Sequence, residues 1–181
     1  STFRRHITTD IEVGTYVNGL NDLQPRAYEN WSQMISVEGV LTATPTTDEE
    51  ALGIVRWAAE HGHRVRPIGA FHTWSPLAFE DAASVIAIDQ SQMAGLLDFA
   101  YEPVPAATFR AGTTLASALE TLENIDNRGV SDAPGWSWPD FPGVPDVTLG
   151  GMLAIWGPWR GRSKTRRPAR FLRHGEQSRP R

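Results

Sequence analysis

The residues best placed to do chemistry lie between Val65 and Leu77, in the run Val-Arg-Pro-Ile-Gly-Ala-Phe-His-Thr-Trp-Ser-Pro-Leu. It leaves a β-rich stretch and packs one glycine, one histidine, two small hydroxyl residues and two prolines into a single turn. A glycine at a strand end lets successive backbone N–H groups converge on an anion such as a phosphate. The same residue types also build ordinary turns. Spacing alone leaves both readings open.

That turn needs elements on either side to hold it. Val40-Leu-Thr-Ala-Thr is a short β-rich run ended by Pro45, which predicts a strand. Thr47 with Glu50 three residues later forms a capping box, in which the hydroxyl and the carboxylate each satisfy an orphan backbone N–H. Ala51, Ile54, Val55 and Ala58 recur at helical spacing, and Gly62 stands where a left-handed C-terminal residue is wanted, so a helix is predicted over 48–61. Further strands are predicted over 64–68, 84–89 and 106–111. A second helix follows, capped by Thr113 or Thr114, with Leu115, Leu119 and Leu122 on one face and Gly129 beyond its end. Residues 1–30 are weakly patterned and read as an extended arm ending in a short helix near Ala27 to Trp31. Residues 130–147 hold four Pro, two Trp and three Asp with no period, which marks a long loop. Within it Trp136-Ser-Trp-Pro-Asp-Phe-Pro142 reads as an Ω-type loop packed on its own aromatics, the alternative being a lining for a ligand entrance. Val147 to Ile155 is apolar around the pair Gly150-Gly151. Strands alternating with helices predict α/β (α+β) packing.

Composition narrows the class. The 181 residues are 40% hydrophobic and 21% charged, with 16 Gly and 13 Pro, which excludes collagen, coiled coil and wholesale disorder and indicates one soluble globular domain. The absence of Cys removes disulfides, thiolate ligands and a thiol nucleophile. No apolar run approaches the roughly 20 residues of a membrane helix, and the first residues lead into no signal-peptide-like stretch, so no compartment is indicated. His61 and His63 stand two apart with no third ligand nearby, so no metal site is expected.

Several motifs in order carry a resemblance. Arg66-x-x-Gly69-x-x-His72-Thr73 resembles the pyrophosphate loop of the vanillyl-alcohol-oxidase type of FAD domain, also called the PCMH-type fold. His72-Thr-Trp-Ser-Pro-Leu77 is closer still to the bacterial type II cholesterol oxidases, whose flavin is covalent. Tyr28-Glu-Asn-Trp-Ser32, Trp57-Ala-Ala-Glu-His61, Ala111-Gly-Thr and Leu149-Gly-Gly-Met-Leu-Ala154 follow the family order. The resemblance implies a covalent bond from His72 to the 8α-methyl of FAD. It further implies that Gly69, Ala70, Phe71 and Thr73 cradle the pyrophosphate through backbone N–H groups, with Arg66 in the same motif and Ser75 adding a hydroxyl donor. Gly150 and Gly151 would pass close to the cofactor. The implied reaction is oxidation of an alcohol, sterol-like in the nearer relatives and a sugar or aldonolactone in others, with O2 as acceptor. The cofactor carries that chemistry and the protein tunes it. No catalytic residue is expected within this chain, since the family places those groups in a separate substrate domain.

The resemblance spans residues 26–155, which divides the chain into an arm (1–30), a partial FAD-binding domain (31–155) and a tail (156–181). Charge divides it at the same place: residues 1–155 carry a balance of −12 and residues 156–181 one of +8. Two such different regions rarely share one folding unit. Trp156-Gly-Pro-Trp159 needs codons TGG GGN CCN TGG, and dropping the first T permits Gly-Ala-His-Gly, residues suited to a continued flavoprotein. The Arg-rich tail is therefore expected to be out of frame or disordered, and the chain by itself inactive. A basic polyanion-binding arm is the competing reading, disfavoured because no nucleic-acid fold accompanies it.

Overall fold

Buried apolar strands account for most of the architecture. The computed structural model describes residues 3–6, 23–80, 82–101, 106–125, 135–137, 143–155 and 172–173. They fall into two compact units, 1–93 and 94–181.

In the first unit the elements are β1 (Phe3–His6), β2 (Gln24–Glu29), β3 (Ile35–Ala43), α1 (Asp48–Glu60), β4 (Arg64–Ile68) and β5 (Val85–Asp89), with two short 3-10 turns at Pro76–Phe79 and Ala82–Ser84. They make a five-stranded mixed sheet. Strand β2 runs antiparallel along β3 from Ser36 to Thr42. The other edge of β3 is shared, its start pairing in parallel with β1 and Thr42–Ala43 in parallel with β5. Strand β4 closes the sheet in parallel with β5. Val85, Ile86, Ala87 and Ile88 are all buried, the near-continuous apolar run of a central parallel strand covered on both faces.

Strand β3 serves both faces because it carries a bulge. Arg26 pairs with Val40 and Tyr28 with Val37, so Glu38 and Gly39 together oppose Ala27. Gly39 takes φ +77°, the left-handed conformation glycine adopts without a Cβ penalty. After the extra residue, Leu41 and Ala43 join Ile54 and Ala58 of α1, with Ile86, Ile88 and Leu23, in one apolar cluster. Ile35, Val37 and Val40 join Phe79 and Ala87 in another, against which Tyr28, Ile68 and Phe71 pack.

Several local expectations are met, and others change. Helix α1 begins after Thr47, whose Oγ1 accepts the Glu50 N–H at 3.1 Å, and Gly62 just beyond it sits at φ +74°. The Glu50 carboxylate keeps only a weaker interaction with the Thr47 N–H of the predicted box and bonds chiefly one residue further back. It accepts the Thr46 N–H at 2.7 Å and the Thr46 hydroxyl at 2.9 Å, so it serves the residue before the cap. The short helix expected near Ala27 to Trp31 is absent, because residues 24–29 are a strand whose pairing with β3 overrides weak local preference. Pro25 is tolerated there since β2 is an edge strand.

The second unit contains β6 (Leu96–Ala100), β7 (Ala106–Phe109), α2 (Leu115–Glu123), β8 (Trp136–Ser137), α3 (Leu149–Ile155) and β9 (Leu172–Arg173). Strand β6, which the sequence reading omits, pairs antiparallel with β7. Thr114 caps α2 by accepting the Ser117 N–H, and Leu115, Ala118 and Leu122 are buried along one helix face. Strands β8 and β9 pair antiparallel, so a short piece of the Arg-rich tail meets the Pro-rich loop. Gly129 and most of that loop and tail lie outside the described residues. Among the described residues no helix is long and apolar enough to cross a membrane.

Two outcomes follow. Phe79 is fully buried at the centre of its cluster, so Phe79→Ala should lower unfolding free energy by about 3–5 kcal/mol in urea titrations. Hydrogen bonds from the Thr46 backbone, then from its hydroxyl, hold the Glu50 carboxyl below its ordinary value. Its contribution is therefore present above the ordinary carboxylate range and is lost as pH falls through the depressed folded value. The stability difference between wild type and Glu50→Gln, followed by urea titration at several pH values, should shrink through that window.

Candidate functional site

The loop that leaves β4 runs from Gly69 to Ser75 and enters the 3-10 turn at Pro76. Its backbone takes an unusual course for its composition. Phe71 lies at φ +54°, a left-handed conformation that costs a non-glycine residue about 1–2 kcal/mol. Such strain persists only where surroundings over-determine it, and it collects at ligand sites.

Here the surroundings are aromatic. The Phe71 ring meets Tyr28 edge-on at 6.1 Å and Phe79 at 5.4 Å, while Tyr28 stacks on Phe79 at 5.3 Å. Aromatic contacts of this kind contribute about 0.5–1.5 kcal/mol each, enough to offset the backbone cost. The Tyr28 hydroxyl and Thr42 Oγ1 are 2.9 Å apart, and burial pushes the phenol above its ordinary value. With Phe71 drawn inward, the next residue emerges beside Trp31. The His72 imidazole lies 6.5 Å from the Trp31 ring and nearly parallel to it, and Trp74 meets Trp31 edge-on at 5.0 Å. Trp31 and Trp74 are 56% and 66% exposed, so this is an open aromatic surface rather than a core.

Polar contacts complete the hold. Thr73 Oγ1 accepts the Ser75 N–H at 3.2 Å and donates to the Ser75 carbonyl at 3.0 Å, closing a tight local turn. The Thr73 carbonyl accepts a hydrogen bond from Nδ2 of Asn30 at 3.0 Å. Asn30, 1% exposed, also accepts the Ile35 N–H through Oδ1 at 2.9 Å and donates to Ser32 Oγ at 2.9 Å. It thereby ties the turn between β2 and β3 to the loop.

The residues assigned by resemblance fall in two places. Arg66, Gly69, Ala70, Phe71, His72, Thr73 and Ser75 come together at the end of β4. Gly69 and Ala70 are exposed, and Nε of Arg66 is buried with no hydrogen-bond partner among the described residues. Exposed residues of small side-chain content, with an unsatisfied cationic donor three residues earlier in the strand, suit an anionic diphosphate, so these residues fit the FAD expected from the sequence.

Gly150 and Gly151 belong to the second unit, in the first turn of α3. Their requirement there is local. A Cβ at Gly150 would stand 3.0 Å from the Ala111 Cβ, and the Gly150 N–H donates to the Ala111 carbonyl at 2.9 Å. A Cβ at Gly151 would lie 2.9 Å from Oγ1 of Thr148, the hydroxyl that accepts the Gly151 N–H. The Ala111-Gly-Thr motif is thus the docking strip for this helix. Buried Thr113 secures the strip by accepting the Gly95 N–H at 2.9 Å and donating to the Arg110 carbonyl at 2.7 Å. Among the described residues no group of three potential metal ligands occurs. Tyr28, Asn30 and Trp31, which support the loop, carry no role in the sequence reading. The run Tyr28-Glu-Asn-Trp-Ser32 was legible as a motif, but what these side chains hold was not, because their partners in the loop stand about 40 residues away.

Comparison with known proteins gives the same picture. Residues 40–165 match the family described as FAD binding domain, a match running past Ile155, the end of the resemblance read from motifs. The cholesterol oxidase of B. sterolicum has a similar structure, with a TM-score of 0.66 and 24% identity over 82% of this chain and 27% of that one. A solvent-stable cholesterol oxidase is 28% identical with a TM-score of 0.68, covering 80% of this chain and 26% of that one. L-gulonolactone oxidase 3 of Arabidopsis thaliana is 24% identical over 140 residues, 75% of this chain and 22% of its own. The chain spans about a quarter of the length of these relatives. Its mixed α/β architecture is that of the PCMH-type FAD-binding domain, and the chain belongs to the FAD-binding domain family found in flavin-dependent oxidases.

Proposed function

We propose that this domain serves an FAD-dependent oxidase acting on a bulky, sterol-like alcohol, with the flavin bonded covalently through His72. The observation that carries the reading is the family match together with a strained loop that carries His72 directly after the left-handed Phe71. The 28% identity with a solvent-stable cholesterol oxidase supports the substrate class. The gulonolactone oxidase relative supports a second reading, a sugar or aldonolactone oxidase on the same domain.

When bound, FAD supplies the capacity to accept a hydride equivalent from a carbinol carbon and to pass the electrons to O2. This chain's own residues bind and orient. Gly69, Ala70, Phe71 and Thr73 offer backbone donors to the diphosphate, and Ser75 adds a hydroxyl. Arg66 supplies positive charge close to the loop, a charge-assisted donor that strengthens anion binding. His72 supplies the ring nitrogen that anchors the isoalloxazine, so its orientation is fixed before any substrate arrives. The groups that move the substrate proton are assigned to no residue of this chain.

Intact mass of the denatured protein is the direct test. Wild type should carry the added mass of one FAD and His72→Ala should lose it; an unmodified wild type would overturn covalent attachment. Anaerobic flavin bleaching with a sterol panel and a sugar-lactone panel, in a protein carrying this domain and its substrate domain, should follow the sterols. Bleaching by lactones alone would select the second reading.

A further inference from the structure

We infer that the turn Asn30-Trp31 is the positioning element for His72, with the buried carboxamide of Asn30 setting the loop and the Trp31 ring setting the imidazole. The inference rests on the proposed attachment at His72, but its geometry stands by itself.

Asn30 sits between two segments that the chain places 43 residues apart. The chemistry of its partners determines which way its amide points. The Ile35 N–H can only donate and the Thr73 carbonyl can only accept, so Oδ1 must face Ile35 and Nδ2 must face Thr73. Both Nδ2 hydrogens are then engaged, one by Thr73 and one by Ser32. Asn30 itself is only 1% exposed, so its carboxamide depends on these protein partners, and losing one would leave a buried polar group unsatisfied.

The bond to Thr73 acts one residue beyond His72, and the aromatic clasp on Phe71 acts one residue before it. His72 is thus held between two anchored neighbours. Trp31 then limits the imidazole, since the two rings lie 6.5 Å apart with an interplanar angle of 28°. Forming a carbon–nitrogen bond to the ring methyl would break one methyl C–H and the imidazole N–H, with the two electrons and two protons taken up by the flavin's own ring and passed on to O2 as hydrogen peroxide. It requires the nitrogen to be aimed at that carbon, and small misplacements lower such rates steeply. Asn30 touches none of the reacting atoms and acts through the loop.

The discriminating variant is Asn30→Asp, which is isosteric. It retains an oxygen for the Ile35 N–H and so keeps the turn, but it faces the Thr73 carbonyl with a second acceptor. Ser32→Ala is the control, removing the other Nδ2 partner without touching the loop. Two readouts are taken on the full chain supplied with FAD. One is the rate of covalent mass addition, and the other is amide hydrogen exchange across residues 69–75. Asn30→Asp should slow covalent addition by roughly 10- to 100-fold and raise exchange in that segment, while Ser32→Ala matches wild type. Covalent addition and exchange both at the wild-type level in Asn30→Asp would overturn the inference. If wild type itself takes up no covalent FAD, attachment at His72 fails. The exchange readout then decides alone, faster exchange in Asn30→Asp supporting the clamp and unchanged exchange rejecting it. Should Asn30→Asp not fold, Trp31→Ala removes only an exposed ring and carries the test on the same two readouts, with wild-type behaviour again overturning the inference.

Discussion

One extra residue in a strand governs what the first unit can do. Side chains alternate strictly along a strand, so an unbroken β3 would send Ile35, Val37, Leu41 and Ala43 to one face and leave Val40 and Thr42 on the other. The bulge at Glu38–Gly39 changes the parity midway. Leu41 and Ala43 are then free to receive α1, while Ile35, Val37 and Val40 build the bed on which Phe79 rests. The same bulge brings Tyr28 opposite Val37, from where its hydroxyl reaches Thr42 and its ring supports Phe71. A backbone irregularity in the sheet is thereby connected, ring by ring, to the residue before His72.

The loop illustrates how a fold holds a conformation its residues would not choose. Phe71 in the left-handed region is unfavourable by itself, and its ring contacts with Tyr28 and Phe79 offset that cost. The strain therefore points the chain rather than weakening it. With the phenylalanine committed inward, Gly69 and Ala70 stay exposed and the histidine lies beside the exposed ring of Trp31. A rigid strand, an apolar clasp and a short exposed stretch of backbone are what a cofactor loop needs. Binding energy is then not spent on ordering it.

The second unit applies the same economy to a helix start. Residues 147–150 hydrogen-bond to residues 111–115 along a short strip, and Gly150 allows the backbone of α3 to approach Ala111 closely. The glycine pair that the motif assigns to a cofactor therefore has a packing reason of its own. Both reasons require small residues at these positions, so glycine alone does not separate them.

Much of this was readable in the sequence where the signal is local. Thr47 with its helix, the apolar run of β5, Thr114 before α2 and the ordered motifs around His72 depend on neighbours within a few residues, and the family they point to is the one the chain matches. What the sequence could not decide depends on partners far along the chain. Residues 24–29 became a strand because β3 offered an edge, and Glu50 chose Thr46 because that residue supplied two donors to one oxygen. The left-handed turn at Phe71 and the buried bond from Asn30 to Thr73 exist only once the sheet has brought β2 and β4 into one layer. Residue type and short-range spacing thus set which chemistry is possible. Only the tertiary structure set where the histidine points, because burial and non-local hydrogen bonds, rather than local preference, hold that loop in place.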